Sequence, residues 1–149
     1  MALRNVVKMG DETLRKKCKK VEKFDENLWV LLDDMFETMH KNNGMGLAGP
    51  QVGILKQIVV MEVNGAKFEM INPEITEQSA ETIDDEEGCL SVPNTNGIVA
   101  RPKEITVRFQ DRYGFYMVIT GEDIFARCVC HEVDHLNGIL FVDKMKKKS

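Results

Sequence analysis

Cys130-His131-Glu132-Val133-Asp134-His135-Leu136-Asn137-Gly138 contains the pattern H-E-x-x-H. On an α-helix, residues four apart lie on one face, about one turn apart. Two imidazoles so placed can hold one metal ion. Glu132 then sits about 100° round the helix, beside the metal and not on it. A carboxylate there can take a proton from metal-bound water. H-E-x-x-H on a helix is the zinc-binding pattern of metalloproteases. The chain has three histidines, and two of them fall at ligand spacing around a glutamate.

The flanking residues mark out the helix. Thr120 and Asp123 form a candidate capping pair just before the apolar periodicity starts. Ile124, Cys128, His131 and His135 share one face, and Gly138 after Asn137 is a normal stop. The histidines therefore lie along an otherwise apolar stripe. Buried imidazoles need partners, and one metal satisfies both.

Two histidines leave a hydrolytic centre incomplete, because such centres use three protein ligands and keep the fourth position for water. No His or Glu follows His135, so the third ligand lies upstream. The candidates are Cys18, His40, Cys89, Cys128 and many carboxylates. Cys128 is one turn before His131 on the same face, and it equally suits a small buried core position. Cys89 lies in Glu86-Glu87-Gly88-Cys89-Leu90-Ser91-Val92-Pro93. There Gly88 lets the backbone approach closely and Pro93 ends the segment. Spacing alone leaves Cys89 and Cys128 open.

Three segments together resemble the peptide deformylase family. They are Gly44-Met45-Gly46-Leu47-Ala48-Gly49-Pro50-Gln51, Glu87-Gly88-Cys89-Leu90-Ser91 and His131-Glu132-Val133-Asp134-His135. They occur in the family's order and at similar separations. The resemblance extends from the Asp11–Arg15 region to Leu140–Asp143, nearly the whole chain. It implies metal ligation by Cys89, His131 and His135, with Glu132 as general base and acid. It also implies that Gln51 and the backbone N–H of Leu90 stabilise the oxyanion. The implied reaction removes the formyl group from the N-terminal methionine of new bacterial-type proteins. The implied cofactor is one divalent ion, Fe2+ by the resemblance. Zn2+, Ni2+ and Co2+ also suit one thiolate and two imidazoles. Met45, Gly46 and Glu87 are expected at the substrate pocket, with Glu87 also supporting the Cys89 loop. Three positions depart from the family pattern: Met45, Gly49 and Cys130. None removes a ligand or the glutamate, so the activity is expected to stand.

The residue types fit that chemistry. A formamide is a poor electrophile, and a divalent ion lowers its water's pKa toward about 7. The glycines at 44, 46 and 49 lack the Lys-Ser/Thr or G-x-G-x-x-G context of a phosphate loop. They read better as a tight loop where backbone meets substrate. An endopeptidase shares H-E-x-x-H but needs an open groove. A structural metal protein needs neither Glu132 nor Gln51.

At 149 residues the chain can bury one substantial core. Residues 1–143 are expected to form a single catalytic domain, and 144–149 a basic, disordered tail. Lysines 144 and 146–148 could add weak, salt-sensitive attraction to the ribosome. A net charge of −4 argues against a DNA-binding protein. No apolar run approaches the roughly 20 residues that span a membrane, and no signal peptide is evident. The four cysteines do not read as a disulfide framework, and reduced thiols fit the cytoplasm. N-formyl-methionyl peptides and nascent chains are the expected partners.

The coarse pattern is α+β: antiparallel strands packed around one central metal-binding helix, with two N-terminal helices before them. The first helix is expected over Asp11 to Lys20. The second is capped by Asp25 and runs through His40, with Leu28, Leu31, Leu32, Met35 and Met39 as its core stripe. His40 is expected to be solvated. Strands are expected at Ile58–Glu62 and Lys67–Ile71, joined at Asn64-Gly65, and around Ile98–Val99, Ile105–Phe109 and Tyr116–Ile119. The acidic run Asp84–Glu87 reads as a solvated segment, and Arg101 with Asp134 as a candidate buried pair.

Overall fold

A computed structural model describes residues 2–146. Asp25 caps helix α1 (Glu26–Lys41), its side chain accepting the Leu28 N–H. The stripe Leu28, Leu32, Met35 and Met39 is buried, and Leu31 is half-buried. Strands β1 (Gly46–Ala48), β2 (Ile58–Val63), β3 (Ala66–Gln78), β6 (Glu104–Gln110) and β7 (Tyr116–Glu122) form one antiparallel sheet in the order β1-β2-β3-β6-β7. Between β3 and β6, strands β4 (Thr82–Cys89) and β5 (Val92–Pro102) form a separate antiparallel pair. Helix α2 (Ile124–Leu136) follows β7.

Alternation along β2 explains the layering. Ile58 and Val60 face α1, while Val59 and Met61 face the core that α2 shares with Met70, Ile105 and Val107. Helix α2 also contacts β5, so it touches strands of both sheets. A third apolar cluster joins Leu14, Val92, Val99, Leu140 and Phe141. The Asn64-Gly65 hairpin is present: both residues have positive φ, 50° and 81°, between the paired Val63 and Ala66.

Several expectations need correction. The first N-terminal helix is a single 3-10 turn, Glu12–Arg15, so only one α-helix precedes the sheet. Beyond it the chain runs extended: the Cys18 and Lys19 N–H groups donate to Leu136 and Leu55 carbonyls, each at 3.0 Å. Lys16 and Lys20, four apart, would repel on a helix, and these tertiary partners win. The Thr120–Asp123 cap does not form. Asp123 has φ 57° and no capping bond, and Thr120 pairs its hydroxyl with Thr106 across β7 and β6 at 2.8 Å. The acidic run is strand β4, with Asp84, Asp85 and Glu86 exposed and Glu87 buried. The glycine loop contains the short strand β1, and β3 and β5 are longer than expected. His40 is exposed, as expected, and lies 3.1 Å from Glu62.

The tail is docked as far as Lys146. Met145 bridges Val99, Lys146 N–H donates to Ile98 O at 2.8 Å, and the Met145 side chain fills the space over Gly97. Residues 147–149, the rest of the expected tail, lie outside the described residues.

Candidate active site

Helix α2 presents His131 and His135 one turn apart, and the end of β4 brings Cys89 to them. Ligand atoms of Cys89, His131 and His135 all lie within 4.8 Å of one another. Cys89 Sγ is 3.3 Å from His135 Nε2. Glu87 and Cys89 are two apart on β4, so both side chains leave the strand on the face turned to the helix, while the extra residues of the irregular pairing lie opposite them in β5. Cys128, Cys18 and His40 lie outside this cluster among the described residues. The Cys128 thiol lines the adjoining cavity, and burial pushes its pKa well up, so it remains a thiol at neutral pH.

A buried ionic network fixes the first histidine. Glu87 Oε1 lies 2.9 Å from His131 Nδ1, which leaves Nε2 for the cluster. Arg101 grips Glu87 with two bonds, 2.8 and 2.9 Å, and reaches Asp134 at 2.7 Å, so the pair suggested by sequence is present. Arg127 adds a 2.6 Å bond to Glu87 and donates to the Ile83 and Val99 carbonyls. Burial works to raise the Glu87 pKa, but Arg101 and His131 outweigh it and hold the carboxylate at about 2. Glu87 is therefore a support behind His131, at the cavity's inner edge.

The charges favour a cation at the convergence point. Burial tends to lower the His131 pKa, yet its bonds to Cys89 and Glu87 and the charge of Glu132 push it up to about 10. Burial, with the charges of His131 and Arg101, drives His135 down to about 3, so it is neutral and free to ligate at pH 7. One sulfur, the neutral His135, the Nε2 of His131 once a metal displaces its proton, and two nearby carboxylates fit a divalent ion of the Fe2+–Zn2+ series.

Glu132 faces the same space from the next position on the helix. It is 4% exposed, and its Oε1 has no protein partner. Burial pushes its carboxyl up to about 7. Gln51, read from sequence as a loop residue, is 1% exposed. Its Oε1 accepts the Ala48 N–H at 3.0 Å, and its Nε2 donates to Ser91 Oγ at 3.2 Å and toward Cys89 Sγ at 3.5 Å. Leu90 sits in the two-residue turn between β4 and β5, half-buried against the cavity. The cavity, about 690 Å³, is lined by Gly44, Met45, Gly46, Leu90, Ile124 and Cys128 beside the cluster. Met45, 43% exposed, stands at its rim.

Sequence reasoning missed Arg127 and Ser91. Arg127 is four residues before His131, so helical spacing held a signal for it. Nothing local marked Ser91, because its partner Gln51 is 40 residues away.

Residues 3–149 match the Polypeptide deformylase family. Peptide deformylase 1 of Clostridium acetobutylicum is 54% identical over 145 residues, covering 97% of this chain and 96% of the relative. The crystal structure of peptide deformylase from Thermotoga maritima superposes with a TM-score of 0.96 at 43% identity, covering 97% of this chain and 99% of that one. A peptide deformylase from Synechococcus elongatus, solved in complex with actinonin, gives 0.94 at 36% identity, covering 97% of this chain and 80% of that one.

Proposed function

The chain belongs to the polypeptide deformylase family, and we propose that its reaction runs on Cys89, His131 and His135 as metal ligands, with Glu132 moving the proton. The enzyme removes the N-formyl group from the N-terminal formyl-methionine of newly synthesised proteins. The observation that carries the residue assignment is the convergence of one sulfur and two imidazoles from distant segments within 4.8 Å.

Cys89, His131 and His135 would hold a divalent ion, which would supply a water of lowered pKa, about 7, and a Lewis acid for the formyl oxygen. Glu132 accepts the proton that the attacking water gives up. It delivers that proton to the amine nitrogen as the C–N bond breaks, releasing formate and a free N-terminus. A carboxyl pushed up to about 7 can do both near neutral pH. Gln51 Nε2 carries two hydrogens. One is committed to Ser91, and the other faces the cluster, where it meets the oxyanion together with the Leu90 N–H. Losing one such donor costs about 3 kcal/mol. Glu87 holds the His131 ring by Nδ1, the support that ligating histidines ordinarily have. Met45 and Gly46 border the first residue of the peptide.

The family is metal-dependent, and Fe2+ is our assignment for the physiological ion, with Zn2+, Ni2+ and Co2+ able to occupy the same donors. Residues 1–143 are taken as the catalytic domain. The basic end gives at most a weak, salt-sensitive ribosome contact, since Lys144 and Lys146 already face Asp134 and Asp84. A cytoplasmic location fits the four free cysteines. No helix among the described residues is long and apolar enough to cross a membrane.

The test is anaerobic purification, measurement of bound metal, and assay of formate release from formyl-Met-Ala-type peptides. Stoichiometric metal and release from formylated peptide, with no cleavage of internal bonds, are expected. Turnover by metal-free protein would refute the ligand assignment.

A further inference from the structure

Both oxyanion donors assigned above are tied to one short stretch near the N-terminus. The Val7 N–H donates to Gln51 O at 2.7 Å, and the Met9 N–H to Ser91 O at 2.7 Å. Between them the exposed Lys8 places its Nζ 3.1 Å from Leu90 O. The three carbonyls so held belong to the two donor residues and to Ser91, the acceptor for Gln51 Nε2. The stretch is itself anchored, since Val7 packs on the cluster of Leu14, Val92 and Phe141, and Leu14 is fully buried.

We propose that Val7–Met9 is a clasp that sets the separation of the Gln51 and Leu90 donors, with Lys8 as a positioning residue acting through Leu90. The inference rests on the oxyanion roles given under the proposed function. Gln51 sits on the 3-10 turn after β1, and Leu90 sits in the β4–β5 turn, so neither element by itself fixes their spacing. Donors must stand within about 0.5 Å of the productive geometry to act together. The two backbone bonds set the distance between the turns. The Lys8 ammonium, bonded to the Leu90 carbonyl, holds the Leu90–Ser91 peptide plane, and through the Leu90 dihedrals it limits the adjoining Cys89–Leu90 plane that carries the Leu90 N–H. Lys8 touches neither the cluster nor its ligands, so its effect falls on turnover and not on metal retention.

The test compares Lys8→Met, Lys8→Arg, Gln51→Ala and the double variant Lys8→Met/Gln51→Ala with the metal-loaded wild type on a formylated dipeptide. For Lys8→Met, kcat should fall about five- to tenfold with KM within about twofold. Bound metal and Tm should be unchanged. Lys8→Arg, which keeps a cationic donor, should recover most of the loss. Lys17→Met, at an exposed lysine outside the clasp, should match the wild type. In the Gln51→Ala background Lys8→Met should cost much less, because the two act on one geometry. If Gln51→Ala is impaired while Lys8→Met turns over normally, the clasp is wrong and the donor reading survives. Normal turnover by Gln51→Ala removes the donor reading itself, and the clasp with it. Metal loss, or a rise in KM alone, in Lys8→Met also overturns the proposal.

Discussion

A Cβ built on Gly46 would meet Glu132 Oε2 at 2.6 Å, so strand β1 and the Glu132 carboxylate are in contact with no room for a methyl group between them. The backbone of β1 is thus a wall that holds Glu132 toward the cluster. Gly46→Ala should push the carboxylate away and lower kcat about 100-fold, while bound metal stays stoichiometric. Wild-type turnover in that variant would show that Glu132 does not depend on the wall.

Glu132→Ala should retain its metal and lose about 10²- to 10⁴-fold in turnover. Metal loss together with activity would place Glu132 among the ligands. The acidity of this group sets a pH dependence. Burial raises its pKa to about 7, and a base works only when deprotonated, so kcat/KM should rise with pH. A bound cation pulls the pKa down, which puts the acid limb at or below about 7 in the loaded enzyme. A limb well above that value would contradict the assignment.

The two rival cysteines separate cleanly by substitution. Cys89→Ala should strip or greatly weaken metal binding. Cys128→Ala should keep the metal and cost about 1 kcal/mol of packing. Chelation gives a second readout. Cys128 and Cys130 are buried and burial raises their thiols, Cys130 to about 11, while Cys89 is partly exposed on the cavity wall, so alkylation at pH 7 should reach Cys89 ahead of them once the metal is removed. Labelling of Cys128 ahead of Cys89 would count against this arrangement.

Glu87→Gln should weaken metal affinity about 10- to 100-fold, the usual cost of losing the partner behind a ligating histidine. It should also lower Tm, because Arg101 and Arg127 would face an amide in a buried site. Unchanged affinity by metal titration would mean that Glu87 serves only the arginines.

Deleting residues 144–149 removes the Met145 packing on Gly97 and the Lys144–Asp134 bond. The expected result is a small loss of stability, about 1 kcal/mol, with turnover on a short formylated peptide unchanged. A large loss of turnover would show that the Lys144 contact reaches His131 through Asp134, Arg101 and Glu87. Ribosome co-sedimentation of the two forms, at low and high salt, would measure any role of the basic end.

The sequence by itself determined the features whose cause is local. The H-E-x-x-H spacing puts His131 and His135 on one helix face whatever surrounds them, and the apolar stripe of α1 and the Asn64-Gly65 hairpin follow from periods and turn chemistry a few residues long. Only the tertiary structure decided the rest. Cys89 and Cys128 are equivalent by spacing, and the docking of the end of β4 against α2 separates them by bringing one sulfur to the histidines. The lysine-rich stretch after Arg15 is extended because Leu55 and Leu136 offer its backbone partners. The acidic run forms a strand whose Glu87 turns inward only because Arg101 and Arg127 wait there to neutralise it. In each case the deciding partner is far away in sequence, and the free energy of a buried charge or a backbone hydrogen bond depends on that partner more than on local propensity.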